Sequence, residues 1–253
     1  MGRDTSGTAG SVTEAVCGTL SRAWDAYDAY LLDIDGTLLC CSDATHYFAF
    51  CAALESMTGR HLTLEGVTTH GNTDRGILRD ALQLAGVPEE LWRPQLTAAC
   101  EGMCSFIEER QNSICAQTLL GVSEVLRHLR QRKALLGVAT GNLERIGRIK
   151  LARCGLLDQF DFYGFSDAFE CRANVFRHAL EQARRILPNE AAVCVVGDTP
   201  ADIRAAHENG VEVIAVATGV HSLAALSAEQ PELCTESLQR LLASPVRDAR
   251  RID

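Results

Sequence analysis

The stretch Leu31-Leu32-Asp33-Ile34-Asp35-Gly36-Thr37-Leu38-Leu39 places two carboxylates one residue apart at the end of an apolar run. Side chains of an extended strand alternate between faces, so Asp33 and Asp35 leave the strand on the same side. Two acids that close repel when both are ionised, unless a cation, a proton or hydrogen-bond donors offset the charge. The pair therefore asks for a metal or for acid–base work; the plainer reading is a polar turn after an edge strand. Three further stretches bring complementary groups to the ends of apolar runs. Thr140-Gly141-Asn142 follows Ala134 to Ala139; Ser166, Asp167, Glu170 and Arg172 follow Phe160 to Tyr163; and Gly197-Asp198-Thr199-Pro200-Ala201-Asp202 follows Ala192 to Val196.

For these groups to meet, the runs that carry them must lie side by side and point the same way. From residue 117 onward apolar strands alternate with helical patterns, the signature of a parallel sheet covered on both faces. In such an open sheet, ligands sit beyond the carboxyl ends of the strands, where all four stretches lie. The first strand, residues 29 to 34, belongs to that sheet, because a lone strand cannot stand among helices. Between them the alternation stops. Asp43 can cap a helix carrying Tyr47, Phe50, Cys51 and Leu54, ended by Gly59. Thr73 can cap a second with Ile77, Leu78, Ala81 and Leu82, stopped by Gly86 and Pro88, and a third carries Leu96, Cys100, Met103 and Ile107. The organisation expected is α/β: a Rossmann-like parallel-sheet core of residues 26–39 and 117–253, an inserted all-helical domain over 40–116, and a flexible N-terminal segment, 1–25, running into a short helix. A short helix at Leu238 to Leu242 precedes a charged tail from Arg247 to Asp253. Val-Ala-Thr-Gly occurs at 138–141 and again at 216–219, an echo too short to mark a repeat.

Bulk properties narrow the partners. The chain has 253 residues and a formal net charge of -9, against a nucleic-acid partner held by general electrostatics. A small phosphorylated metabolite needs only a local site. No apolar run reaches membrane-spanning length, and the small, polar first residues show no secretory signal. Met1-Gly2 with Ser6 fits the myristoylation pattern, as polar tails do by chance. Eleven cysteines, odd in number and with no Cys-x-x-Cys pair, point to a reducing, cytoplasmic setting with free thiols.

The ordered set Asp33-x-Asp35-Gly36-Thr37, Thr140-Gly141-Asn142 and Gly197-Asp198-Thr199-Pro200-Ala201-Asp202 resembles the haloacid dehalogenase superfamily in its phosphatase branch, near phosphoglycolate phosphatase and β-phosphoglucomutase. The resemblance spans about residues 29–220. It implies a Mg2+-dependent phosphatase acting on a small phosphate monoester through an aspartyl phosphate, with the 40–116 insertion as a mobile cap. It implies Asp33 as nucleophile, Asp35 as general acid and base, and Asp33, Asp198 and the Asp35 backbone carbonyl as Mg2+ ligands, supported by Asp202. Thr140, Gly141 and Asn142 would hold phosphoryl oxygens with a cation.

The family's usual lysine is replaced at the matching position by Arg172, whose fork suits phosphate equally; Lys150 is the fallback, otherwise a solvated helix residue. In the cap, Asn72, Thr73, Asp74 and Arg75, beside His70, form a polar loop that either faces substrate or simply caps a helix. Asp35 disfavours a dehalogenase, and no lysine lies in 40–116 to serve a phosphonatase. A sugar phosphomutase keeps every motif and stays open. A phospho-accepting receiver and a silent binding protein fit less well. Cys40 and Cys41, just past the first motif, either pack at the cap hinge or make the site sensitive to oxidation.

Overall fold

The computed structural model of the chain describes residues 16–243. In order these form β1 (Val16–Gly18), β2 (Ala29–Leu32), β3 (Leu39–Cys41), α1 (Thr45–Thr58), α2 (Asp74–Leu84), α3 (Glu89–Trp92), α4 (Leu96–Glu109), β4 (Ala116–Thr118), α5 (Val122–Gln131), β5 (Leu135–Ala139), α6 (Glu144–Arg153), β6 (Phe162–Gly164) and α7 (Arg172–Ile186). There follow β7 (Val193–Gly197), α8 (Pro200–Glu208), β8 (Glu212–Val216), α9 (Leu223–Ala228), β9 (Leu233–Thr235) and α10 (Leu238–Ala243). The main sheet runs β1-β9-β8-β7-β2-β5-β6, parallel throughout except for β1.

β2 is buried at every residue and pairs with β5 on one side and β7 on the other, the central place its unbroken apolar character requires. The pleat sorts its side chains. Tyr30 and Leu32, with Leu136, Val138, Cys194, Val196, Ile214 and Val216, meet α5 and α10 on one face. Leu31, with Ala139, Val195, Val213 and Ala215, meets α7 and α8 on the other. The helices α1, α2 and α4 form a third core around Phe50, Leu54, Leu78, Leu82, Trp92 and Met103, which reaches Leu143 and Ile146 at the start of α6. Arg145 of α6 also pairs with Glu101 and Glu108 of α4. The helical layer thus rests on the helix that follows β5, over the carboxyl edge of the sheet.

Several expectations need correction. Residues 40–116 are not all helical: Cys40, Cys41 and Ala116 belong to the β3–β4 antiparallel pair, which joins the two crossings between layer and sheet. Asp43 does not occupy the cap position of α1, which is Ala44. Its carboxylate instead accepts from the amides of Thr45 and Cys115, tying the helix start to the approach of β4. No short helix lies in 16–25. Residues 16–18 extend the sheet edge against β9, and Trp24 and Asp25 are buried. The three-residue strands β1 and β9 and the six-residue α9 are too short for a periodicity to be read. The N-terminal tail before residue 16 and the charged tail from 247 lie outside the described residues. All eleven cysteines are free, and no helix among the described residues is long and apolar enough to cross a membrane.

Candidate active site

A cavity of about 410 Å3 opens at the carboxyl ends of β2, β5, β7 and β8, beneath the helical layer. Asp33 follows β2, held by its amide's hydrogen bond to the Val196 carbonyl (3.0 Å). The chain then leaves the extended form: Gly36 takes φ +82° and Asp35 bridges to Leu39. That turn sends the two carboxylates into different surroundings.

Asp33 joins Asp198 and Asp202, three buried carboxylates with oxygens all within 4.8 Å of one another. One cation reaches them. Arg172, first residue of α7 and 8% exposed, places Nη2 2.7 Å from Asp33 Oδ2 and donates from Nε to Asp202 Oδ1 (2.6 Å). The Nη2–Asp33 contact has ion-pair distance without hydrogen-bond alignment, and Asp33 Oδ1 has no partner among the described residues. Burial, opposed by Arg172, raises the Asp33 carboxyl to about 6. Burial, then the charges of Asp202 and Asp33, push Asp198 to about 8. Three ionised acids against one guanidinium leave two negative charges uncompensated, and an orphaned oxygen, hard donors and a buried setting suit an oxygen-liganded divalent ion.

Asp198 is shaped for that role: Thr37 Oγ1 donates to its Oδ1 (2.9 Å). A Cβ on Gly36 would lie 2.2 Å, and one on Gly219 1.8 Å, from its Oδ2, so only glycine fits at both. Asp202 serves differently. Besides Arg172, it completes a capping box with Thr199 at the start of α8. The cap position is therefore Thr199, and Asp198 stays free for the cavity.

Asp35 faces the other way. Lys150 Nζ donates to both its oxygens (3.0 and 2.8 Å) and Asn142 Nδ2 to Oδ2 (2.8 Å). Its side chain is 40% exposed, and the opening is toward the cavity it lines. Burial works to raise its carboxyl, but the charge and hydrogen bonds of Lys150 and the Asn142 amide prevail, and it is lowered. Lys150 itself is 4% exposed, which corrects the picture of a solvated helix residue. Both cations thus reach the cavity, each with its own acid.

Thr140 is buried and lines the cavity; its oxygen accepts from Asn142 Nδ2 (2.8 Å), leaving its hydroxyl proton to donate. The Asn142 side chain is fully engaged, since its Oδ1 accepts from Lys150 (2.8 Å). Gly141 is required by closeness: a Cβ there would sit 2.1 Å from the Asn72 carbonyl. Of the polar loop, Asn72 and Asp74 line the cavity while Thr73 and Arg75 do not. Thr73 caps α2 by accepting from Gly76, and Arg75 donates to the Asp167 carbonyl (3.1 Å). Asp74 ties α2 to the β5–α6 loop through its amide to the Gly141 carbonyl (2.7 Å) and its Oδ2 from the Leu143 amide (2.8 Å). Ser166 donates to the same Gly141 carbonyl (2.7 Å), and Asp167 accepts from the Glu144 amide. Glu170 lies at the surface with Arg79 and Arg93. Cys41 borders the cavity with a thiol that burial pushes up to about 12, in keeping with packing.

Sequence reasoning missed His46, Thr218 and Gly219. Thr218 donates to the Gly36 carbonyl (2.6 Å), so the loop after β8 clasps the turn that carries Asp33 and Asp35. The Val-Ala-Thr-Gly echo was the available signal. Each copy ends in a glycine that lets backbone come against the site.

A sequence profile described as haloacid dehalogenase-like hydrolase matches residues 30–216. Among solved structures, the chain is similar to a haloacid dehalogenase-like family hydrolase from Streptococcus pneumoniae (20% identity, 86% of this chain and 97% of that one, TM-score 0.56). It is similar also to a protein of Haemophilus somnus 129PT described as a predicted phosphoglycolate phosphatase (17%, 86% and 97%, TM-score 0.61). A third is CbbY from Rhodobacter sphaeroides, in complex with phosphate (18%, 85% and 96%, TM-score 0.60). At these identities the likeness is one of fold. No curated protein is close enough in sequence to count as a match.

Proposed function

The chain belongs to the haloacid dehalogenase-like hydrolases, and from that premise we propose that it is a Mg2+-dependent phosphatase of a small phosphate monoester, working through an aspartyl phosphate. One observation carries the reading: acids two residues apart occupy opposite settings, Asp33 among carboxylates and Arg172, Asp35 against Lys150 and Asn142. A metal among the Asp33 cluster would hold that carboxylate ionised for attack, whereas Asp35 lies outside the cluster and opens to the cavity, where it can exchange a proton with a leaving group or a water.

The phosphoryl group of the substrate sits between Asp33, the Thr140 hydroxyl and Arg172. Asp33 attacks phosphorus, the ester bond to the leaving oxygen breaks, and Asp35, entering this step in its protonated form, delivers its proton to that oxygen. Asp35 then takes a proton from the water that cleaves the aspartyl phosphate, returning Asp33 and free phosphate. Asp33 and Asp198, with the Asp35 carbonyl and Asp202 in support, would hold Mg2+, which when bound would neutralise charge as a dianion approaches a carboxylate. The helical layer acts as a cover that excludes water, and the 410 Å3 cavity suits a leaving group of metabolite size.

The test is phosphate release from a panel of phosphorylated metabolites and an aryl phosphate. Release is expected with Mg2+ and not with EDTA or in Asp33→Asn. Release by the Asn variant refutes the mechanism. Isomer interconversion that needs a sugar bisphosphate and frees no phosphate replaces hydrolase by phosphomutase, which the same residues would serve.

A further inference from the structure

Lys150 is one of two lysines in the chain, the other being Lys133. Its ammonium is buried, a costly placement unless every proton is used. All are: Asp35, Asn142 Oδ1 (2.8 Å) and His46 Nδ1 (3.1 Å) accept them. Asp35 and Asn142 sit on loops of the sheet, but His46 belongs to α1 in the helical layer. Its ring stacks on Phe50 at 4.9 Å, and its Nε2 lies 3.3 Å from Asp74 Oδ2, an ion-pair distance without hydrogen-bond alignment. That oxygen accepts the amide of Leu143, the cap residue of α6. Two hydrogen bonds, Lys150–His46 and Leu143–Asp74, thus tie α6 near its end and at its start to two helices of the layer, which meet at the His46–Asp74 contact.

The contacts on Asp35 are unequal. Oδ2 accepts from both Asn142 and Lys150, whereas Oδ1 accepts from Lys150 alone, at 3.0 Å. Arg172 already serves Asp33, so the lysine is not needed there. We propose that Lys150 is a positioning residue that turns Asp35 Oδ1 to the leaving group, and that His46 completes its grip only while the helical layer is docked. With α1 withdrawn, one ammonium proton loses its acceptor, and the hold of Lys150 on Oδ1, the longer of its two contacts with Asp35, loosens. Closure over the substrate would thereby set the proton-carrying oxygen. The role given to Oδ1 rests on the reading of Asp35 as the proton carrier; the closure-dependent grip does not.

Two measurements on the full chain separate these. In 15N-lysine protein, the Lys150 ammonium, assigned by its loss in Lys150→Met, should show slow proton exchange. His46→Leu should speed that exchange about tenfold, the worth of one hydrogen bond. His46→Gln, whose amide oxygen can accept, should restore it. An unchanged signal in His46→Leu overturns the grip, whether or not the protein proves to be a phosphatase. For turnover, kcat/KM of Lys150→Met is compared across phosphate esters of rising leaving-group basicity, in protein shown to melt cooperatively and to bind Mg2+. A loss of about 10^2-fold or more on alkyl phosphates, with little on nitrophenyl phosphate, is expected of impaired proton delivery. Equal losses across the series overturn the positioning role. Absence of hydrolysis of any ester by the unaltered chain sinks the phosphatase reading instead, and the ammonium spectrum still decides the grip.

Discussion

Replacing Asp198 by Asn should make the metal-free protein more stable while destroying its metal site. Asp198 is 3% exposed, and burial with the neighbouring Asp202 and Asp33 charges raises its carboxyl from 3.8 to about 8. A group that binds its proton more tightly when folded favours the fold at low pH, and that support is lost as pH rises from 3.8 toward 8. At about 1.4 kcal/mol per pH unit, keeping Asp198 protonated in the fold while the unfolded chain ionises it costs about 4 kcal/mol at pH 7 and about 2 kcal/mol at pH 5. The Asn amide keeps an oxygen for the Thr37 hydroxyl and needs no proton to be neutral. In EDTA at pH 7, Asp198→Asn should therefore melt higher than the unaltered chain by roughly 10 °C. The margin should halve at pH 5. Saturating Mg2+ should then stabilise only the unaltered chain, by about 3 kcal/mol at a hundred times its Kd. Thermal melts at both pH values, with EDTA or Mg2+, test this. A variant that melts no higher in EDTA at pH 7, or whose margin does not shrink at pH 5, refutes the account of three acids crowded around one cation.

Three other outcomes follow from the same geometry. Arg172→Met leaves those acids without their guanidinium and should cost about 3–5 kcal/mol in EDTA, much of it recovered with Mg2+, by urea unfolding. Gly219→Ala pushes a methyl against Asp198 Oδ2 and should weaken Mg2+ binding about 10–100-fold in calorimetric titration, with the fold retained by circular dichroism. Asp74→Ala strands the buried Leu143 amide and should cost about 1–3 kcal/mol in urea unfolding, while Asp74→Asn, which keeps an acceptor, should cost little.

The sequence by itself determined which residues would meet. Apolar runs long enough to be read as strands, each ending in Asp, Thr-Gly-Asn or Gly-Asp, specify a parallel sheet, and a parallel sheet brings its carboxyl ends to one edge. Asp33, Thr140, Arg172 and Asp198 were therefore legible without coordinates, as was the helical stretch between β3 and β4. Tertiary structure decided how they divide the work. Asp33 and Asp35 look equivalent as neighbours on a strand, and only the turn at Gly36 sends one toward Arg172 and the other toward Lys150. Lys150 reads as a surface residue because helical spacing says nothing of what packs over a helix; α1 covers it and brings His46. Gly219 and Thr218 carry no signal beyond an echoed tetrapeptide, because Gly219 serves by letting backbone approach the Asp198 carboxylate and Thr218 by donating to the Gly36 carbonyl. Periodicity and spacing record local preference and burial, whereas charge pairing across separate elements exists only once the layers have closed on one another.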